Sequence, residues 1–164
     1  MKKPSSPIQL TRAADYAVRV MIYLASPGTD GRVSLPVLAA ATGAPESFLS
    51  KVMQALARAG MISSHRGQAG GFQITSPGRL ASMREVIEAI DGAIRLNVCL
   101  MSGRSCRRKA TCPAHPVWEE AQKAMLAVLS RATVASLAAE SAQAHAHSVA
   151  AATRGFNLLP ELAQ

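Results

Sequence analysis

Apolar positions recur at helical spacing in several stretches of this chain. Ala13, Ala17, Val20, Met21 and Leu24 mark a first helix, with Thr11 as its N-cap and an end near Ala25. Pro27, Gly28, Asp30 and Gly31 then form a loop. Ser34 is placed to cap a short helix, Leu35 to Thr42, which stops at Gly43. Pro45 precedes a further helix, about Glu46 to Ala59, in which Phe48, Leu49, Val52, Met53 and Leu56 form the inward stripe. Beyond Gly60 the pattern changes. Met61 to Arg66 alternates as a strand does, Gly67-Gln68-Ala69-Gly70-Gly71 is a turn, and Phe72 to Thr75 pairs back.

Ser82-Met83-Arg84-Glu85 is a capping box and predicts a helix from about Met83 to Asp91, stopped by Gly92. Met83, Val86, Ile87 and Ile90 are its buried face. Ile94, Leu96 and Val98 alternate, which predicts a short extended segment leading to Cys99. Pro116 starts a long helix to about Arg131. Val117, Ala121, Ala124, Met125, Val128 and Ala132 make its seam, with Leu129 beside it and Trp118 near its start; Glu119, Glu120, Gln122 and Lys123 lie on the outer side. Thr133 can cap a further short helix through Ala139.

Two short helices joined at Gly43-Ala44-Pro45, followed at once by a glycine-rich hairpin with Arg66 at its base, predict a winged helix-turn-helix. The expected fold is therefore mainly α with a small β wing, plus a long C-terminal dimerisation helix. Residues 1–9 form a flexible leader, 10–98 the winged domain, 99–115 a cysteine loop, 116–140 the dimerisation region and 141–164 an Ala-rich tail. A small winged domain does not easily cover the wide apolar face of the long helix, so that face is expected to join two copies as a homodimer.

Composition changes this picture in two respects. Of 164 residues 49% are hydrophobic but only 4% aromatic, so the core rests on Ala, Leu, Val, Ile and Met, which suits close-packed helices. The formal net charge is +8, and a domain this basic usually meets a polyanion, although charge alone also fits a solubilising role. Asp15 and Arg19 interrupt the apolar run near the N-terminus, against a secretory signal, and nothing approaches the length of a membrane span. With an odd number of cysteines, the reading is a cytoplasmic protein without membrane contact.

In such a domain the second helix of the motif enters the major groove of double-stranded DNA. Glu46, Ser47, Ser50, Lys51 and Gln54 are its outward positions. Ser47, Ser50 and Gln54 offer hydrogen bonds to base edges, and Lys51 reaches phosphate or guanine. Arg66 at the wing can enter the minor groove or clamp phosphate, while Gly70 and Gly71 let the wing backbone come close.

The cysteines carry the remaining chemistry. All three sit together in the spacing Cys99-x6-Cys106-x5-Cys112-x2-His115, among Arg104, Arg107, Arg108 and Lys109. Three soft thiolates favour an iron–sulfur cluster (4Fe-4S or 2Fe-2S) or zinc. Structural zinc usually takes closer cysteine pairs, so the cluster leads, zinc is the alternative and an unmetallated thiol set comes third. The basic residues can offset cluster charge or touch DNA.

Leu10-Thr11, Asp15-Tyr16-Ala17-Val18-Arg19, Phe48-Leu49-Ser50-Lys51-Val52, Ala59-Gly60-Met61-Ile62, Arg66-Gly67 and Gly70-Gly71-Phe72 follow one another in an order that resembles the Rrf-type (IscR/NsrR/RirA-like) winged-helix transcription regulators. The resemblance covers roughly residues 9–140. It implies a homodimer that binds an imperfect palindrome in promoter DNA, and three loop cysteines that hold an iron–sulfur cluster sensing iron, redox state or nitric oxide. It also implies two candidates for the fourth ligand. His115 matches the position of a histidine in the cluster-assembly regulators. Asp15 matches the position of an aspartate that the nitric-oxide sensors donate from the partner subunit. At the position of Ser50 the cluster-assembly regulators carry an acidic residue that tunes site choice, so that switch is expected to be missing or different here.

Two other classes compete. Some relatives take a protein partner as effector and lack the cysteine triad, which this chain has. A thiol oxidoreductase would show a Cys-x-x-Cys pair in a βαβ setting; neither is present, and no paired carboxylates or nucleophile constellation suggest another enzyme.

Overall fold

The structure is a computed structural model that describes residues 10–29, 31–67, 70–100, 106 and 108–156, with side chains described as far as residue 146. The expected leader, Asp30 of the first loop, Gln68 and Ala69 of the turn, residues 101–105 and 107 of the cysteine loop (Arg104 and Arg107 among them) and the end of the expected tail from residue 157 lie outside the described residues.

Helix α1 spans Arg12–Ala25, and the Thr11 side chain caps it by accepting from the Ala14 N–H. Its stripe Ala14, Ala17, Val20, Met21 and Leu24 is buried almost completely. α2 (Leu35–Thr42) and α3 (Glu46–Arg58) follow, joined through Gly43 in the left-handed region at φ 68°. Ser34 stands at the N-cap of α2 without a side-chain hydrogen bond. Leu38, Leu49, Met53 and Leu56 meet Met21 and Leu24 in one core cluster. Each such side chain contributes about 1.5–3 kcal/mol by leaving water.

Strands β1 (Ile62–His65) and β2 (Gly71–Ile74) form an antiparallel hairpin in which Ile62 opposes Ile74 and His65 opposes Gly71. Val33, in the loop before α2, pairs with Phe72 on the hairpin's other edge; Val33 N–H donates to Phe72 at 2.9 Å and Phe72 N–H to Val33 at 2.8 Å. Gly71 permits this approach, since a Cβ there would lie 2.7 Å from the Val33 carbonyl oxygen. The wing is thereby tied to the helical core.

A short helix, α4 (Ser76–Leu80), follows with Thr75 as its cap, where the sequence pattern had suggested no element. Gly78 fits against the Met61 carbonyl. α5 (Met83–Asp91) begins with the expected capping box: Ser82 accepts from the Glu85 N–H, and Glu85 accepts from the Ser82 N–H at 2.7 Å. The expected extended segment at 93–98 is instead irregular chain ending in a 3-10 turn, Val98–Leu100. It is held by side chains rather than by a strand partner: Ile94 N–H donates to Glu88 and Leu96 N–H to Gln122.

α6 covers His115–Arg131 and α7 covers Val134–Phe156. The short helix expected to end at Ala139 therefore continues well into the Ala-rich segment. Val134 and Ala138 of α7 belong to the core cluster beside α1. Between α6 and α7 the chain pairs with the start of α5, through Met83 N–H to Ala132 at 2.7 Å and Val134 N–H to Ala81 at 2.9 Å. Among the described residues no helix is long and apolar enough to cross a membrane.

Candidate nucleic-acid interface and cysteine loop

The burial of Leu49, Val52, Met53 and Leu56 fixes which side of α3 faces outward. Glu46, Ser47, Lys51 and Gln54 are exposed and Ser50 is half-buried, so the expected reading residues share the open side of that helix. Phe48 joins them at 39% exposure. It meets the Tyr16 ring edge-on, with centroids 5.7 Å apart, and the Arg19 guanidinium lies 5.7 Å from the Tyr16 ring centre. This trio braces the start of α3 against α1. The pattern had placed Phe48 in the inward stripe; it lies instead at the edge of that stripe, against Tyr16 and partly open to solvent.

At the wing Arg66 is exposed immediately after β1. Gly70 is packed against backbone, where a Cβ would lie 2.6 Å from the His65 carbonyl oxygen. A contact that sequence reasoning missed links α1 to the helix-turn-helix. Arg19 bridges the Asp15 carboxylate at 2.8 Å and the Thr42 carbonyl oxygen at 3.4 Å, just before the turn into α3. The i, i+4 spacing of Asp15 and Arg19 is the signal that announces its first half.

The cysteine donors lie between the 3-10 turn and α6. Cys99 is half-buried in that turn, Cys106 is exposed, and Cys112 is half-buried just before α6; none forms a disulfide. Among the described residues no three His, Cys, Asp or Glu side chains gather at metal-binding distance. His115 behaves differently from the thiols. It opens α6 with 6% exposure, and its Nε2 lies 3.4 Å from Glu119 Oε1 without hydrogen-bond geometry. Neither of its buried ring nitrogens has a hydrogen-bond partner among the described residues. Asp15, the other candidate donor, is half-exposed and ion-paired to Arg19 on α1.

Along α6 two rows of side chains separate. Trp118, Gln122, Met125, Leu126 and Leu129 are half-buried. Val117, Ala121, Ala124 and Val128 are exposed, the valines at 63% and 55%. Gln122 had been expected on the outer side and Met125 in the seam. Both lie on the half-buried side, and Gln122 accepts a hydrogen bond from the Leu96 N–H at 3.1 Å. The exposed row follows the 4-3-4 spacing of a helix-pairing seam.

Residues 10–140 match the family described as Rrf2, iron-dependent transcriptional regulator. This chain belongs to the Rrf2 family. A relative of Mycobacterium tuberculosis (strain ATCC 25618 / H37Rv) that bears the name of an HTH-type transcriptional regulator, Rv1287, is 31% identical over 131 residues, 80% of this chain and 81% of that protein. Protein rrf2 of Nitratidesulfovibrio vulgaris is 29% identical over 130 residues, 79% of this chain and 87% of its own. Among solved structures, T. potens IscR matches with TM-score 0.63 at 25% identity, over 84% of this chain and 90% of that one. CymR, the global cysteine regulator of B. subtilis, shares the fold with TM-score 0.65 at 23% identity, over 81% of this chain and 98% of its own. Rrf2 proteins are DNA-binding transcription regulators rather than enzymes, and the winged helix-turn-helix described above is the fold of these structures.

Proposed function

We propose that this Rrf2 protein is a homodimeric regulator whose hold on promoter DNA is set by an iron–sulfur cluster on the loop from Cys99 to His115. The observation that carries the cluster half is the His115 imidazole, buried three residues after Cys112 without a hydrogen-bond partner among the described residues. Leaving a buried polar group unpaired costs about 1–3 kcal/mol, and a bonded metal would remove that cost. Three thiols with one imidazole are also a donor set that suits iron–sulfur chemistry.

In this reading Cys99, Cys106 and Cys112 hold the cluster and His115 completes it. Glu119, 3.4 Å from Nε2, stands beside the ring that would complete the donor set. Asp15 is the weaker candidate because it would have to leave Arg19. A bound cluster supplies a centre that iron shortage, oxidants or nitric oxide can alter. The DNA half rests on the open side of α3 and on the wing. Ser47, Ser50 and Gln54 read base edges, Lys51 and Arg66 hold the backbone or a groove, and Gly70 and Gly71, packed on the backbone of His65 and Val33, shape the wing that carries Arg66. The exposed row Val117, Ala121, Ala124 and Val128 pairs with its copy. Two heads then meet half-sites about 34 Å apart.

Anaerobic purification with a visible spectrum and an iron, sulfide and zinc assay tests the cofactor. Promoter titrations of wild type and of the triple Cys→Ser variant, before and after reconstitution, test the coupling. Brown protein whose promoter affinity changes only when the cysteines are present is expected. Colourless, zinc-loaded protein, or identical binding by both proteins under all conditions, would overturn the cluster reading while leaving the winged regulator intact.

A further inference from the structure

The contacts proposed above leave one side chain on the open side of α3 without a role. Glu46 is the first residue of that helix, is exposed, and is its one acidic residue. It stands in a row with Ser50 and Gln54, each step of four residues advancing about 6 Å along the helix. Among the described residues no hydrogen bond or ion pair engages its carboxylate. The first turn is closed without it: the Phe48 and Leu49 N–H groups donate to the Pro45 carbonyl oxygen at 3.1 and 2.9 Å. Lys51, five residues on, is off the i, i+4 spacing of a helix ion pair.

A free carboxylate at the start of a helix that enters DNA has few partners there. The walls of the groove are phosphate and repel it. On the floor of the major groove only the amino groups of cytosine N4 and adenine N6 donate; guanine O6 and N7 and thymine O4 are acceptors. Adenine sets its N7 acceptor beside the amino group, opposing the second carboxylate oxygen, whereas cytosine sets a C–H there. Cytosine is therefore the base that a carboxylate accepts from without an opposed lone pair. The N-terminal residues of the second helix are the ones that meet base edges, so Glu46 belongs among the bases. We infer that Glu46 is a specificity-determining residue, accepting a hydrogen bond from the N4 amino group of one cytosine in each half-site. This rests on α3 entering the major groove, as proposed above. The carboxylate acts in two senses. Over cytosine it adds a charge-assisted hydrogen bond. Over any other base it is held against acceptors and phosphates. Ser47, Ser50 and Gln54 carry groups that both donate and accept, so they cannot exclude a base in this way.

Selection from a randomised duplex library by the anaerobically purified full chain tests the inference, with wild type, Glu46→Ala and Glu46→Gln run side by side. Anisotropy titrations on the enriched duplex and its single-base variants then give the affinities. Wild type should require cytosine at one position, repeated symmetrically in the two half-sites, with about a tenfold loss for any other base there. Glu46→Ala should lose that preference, keep those at the other positions, and bind unrelated duplex more tightly than wild type. Glu46→Gln, whose amide pairs with adenine N6 and N7, should move the preference from cytosine to adenine at the same position. A carboxylate that only supports the start of the helix would instead lower the melting temperature and weaken all duplexes alike when replaced. Wild type and Glu46→Ala sharing every base preference, or Glu46→Ala losing affinity uniformly, overturns the inference and leaves the winged regulator standing. Failure of wild type to enrich any duplex overturns both the inference and the major-groove reading on which it rests.

Discussion

Replacing Gly71 by Ala probes the attachment of the wing to the helical core. Gly71 sits at φ 155°, and a Cβ built on it would lie 2.7 Å from the oxygen and 3.0 Å from the carbonyl carbon of Val33. Both obstructing atoms are backbone, so they cannot swing aside as a side chain would. Val33 and Phe72 must separate, and their two hydrogen bonds of 2.9 and 2.8 Å lengthen or break. Each is worth about 0.5–1.5 kcal/mol net, so the variant should lose about 1–3 kcal/mol, bounded above because the wing can undock rather than strain the core. Urea unfolding at fixed protomer concentration reads this directly; with a slope of about 2 kcal/mol per M the midpoint should fall by about 1 M. Gly67→Ala is the control: Gly67 also has a positive φ, 104°, but no atom of the described residues outside its chain neighbours stands within 4 Å of its would-be Cβ. A midpoint for Gly71→Ala equal to that of wild type, or no lower than that of Gly67→Ala, would refute the close approach as the reason for glycine.

Val117→Glu together with Val128→Glu should leave helix content unchanged yet yield a monomer in analytical ultracentrifugation, because both side chains are exposed on the isolated chain. Lys51→Ala should weaken DNA binding alike on all sequences and reduce the salt slope by about 1, whereas Ser47→Ala should change preference among operator variants more than salt slope, both read by fluorescence anisotropy. Leu56→Ala, at a fully buried position, should cost about 2–5 kcal/mol in chemical denaturation. The Glu85 carboxyl is held below its ordinary range, first by the Ser82 backbone N–H and then by the Ser82 hydroxyl. Its stabilising effect is therefore fully present above the ordinary carboxylate value and fades as pH falls through the lower folded-state value. Glu85→Gln should accordingly lower the melting temperature at pH 7, with the gap to wild type closing in acid, while Ser82→Ala should cost about 0.5–2 kcal/mol at neutral pH.

Periodicity and caps made most of the helices readable. Thr11, the Ser82–Glu85 box and the glycines at 43 and 92 mark ends that local chemistry alone determines, and α1, α2 and α5 lie where those residues put them. α4 was not readable because Pro77 and Gly78 argue against a helix in isolation; it forms where Gly78 fits beneath the Met61 carbonyl, a contact made only in the folded chain. The alternation of Ile94, Leu96 and Val98 suggested extended chain, but without a neighbouring strand its backbone bonds to Glu88 and Gln122 instead. The Ala-rich sequence after Ala139 lacks an apolar stripe, so its helical extent was hidden although its residues favour helix. At the candidate sites the residue types and their spacing were legible. The burial of His115 was not, and neither was the engagement of Arg19 with Thr42, which joins residues 23 positions apart.

The junction between α6 and α7 has a mechanical meaning. Met83 with Ala132 and Ala81 with Val134 clamp the C-terminal end of α6 to the core, while its N-terminal end carries His115 and follows the loop. Its 17 residues, at 1.5 Å each, make a lever about 25 Å long with its fulcrum at Thr133. A shift of about 2 Å at the loop end then corresponds to a rotation of roughly 5° about that fulcrum. In a symmetric pair joined along α6 both copies would turn together, and the angle between their reading heads would change by about twice that amount.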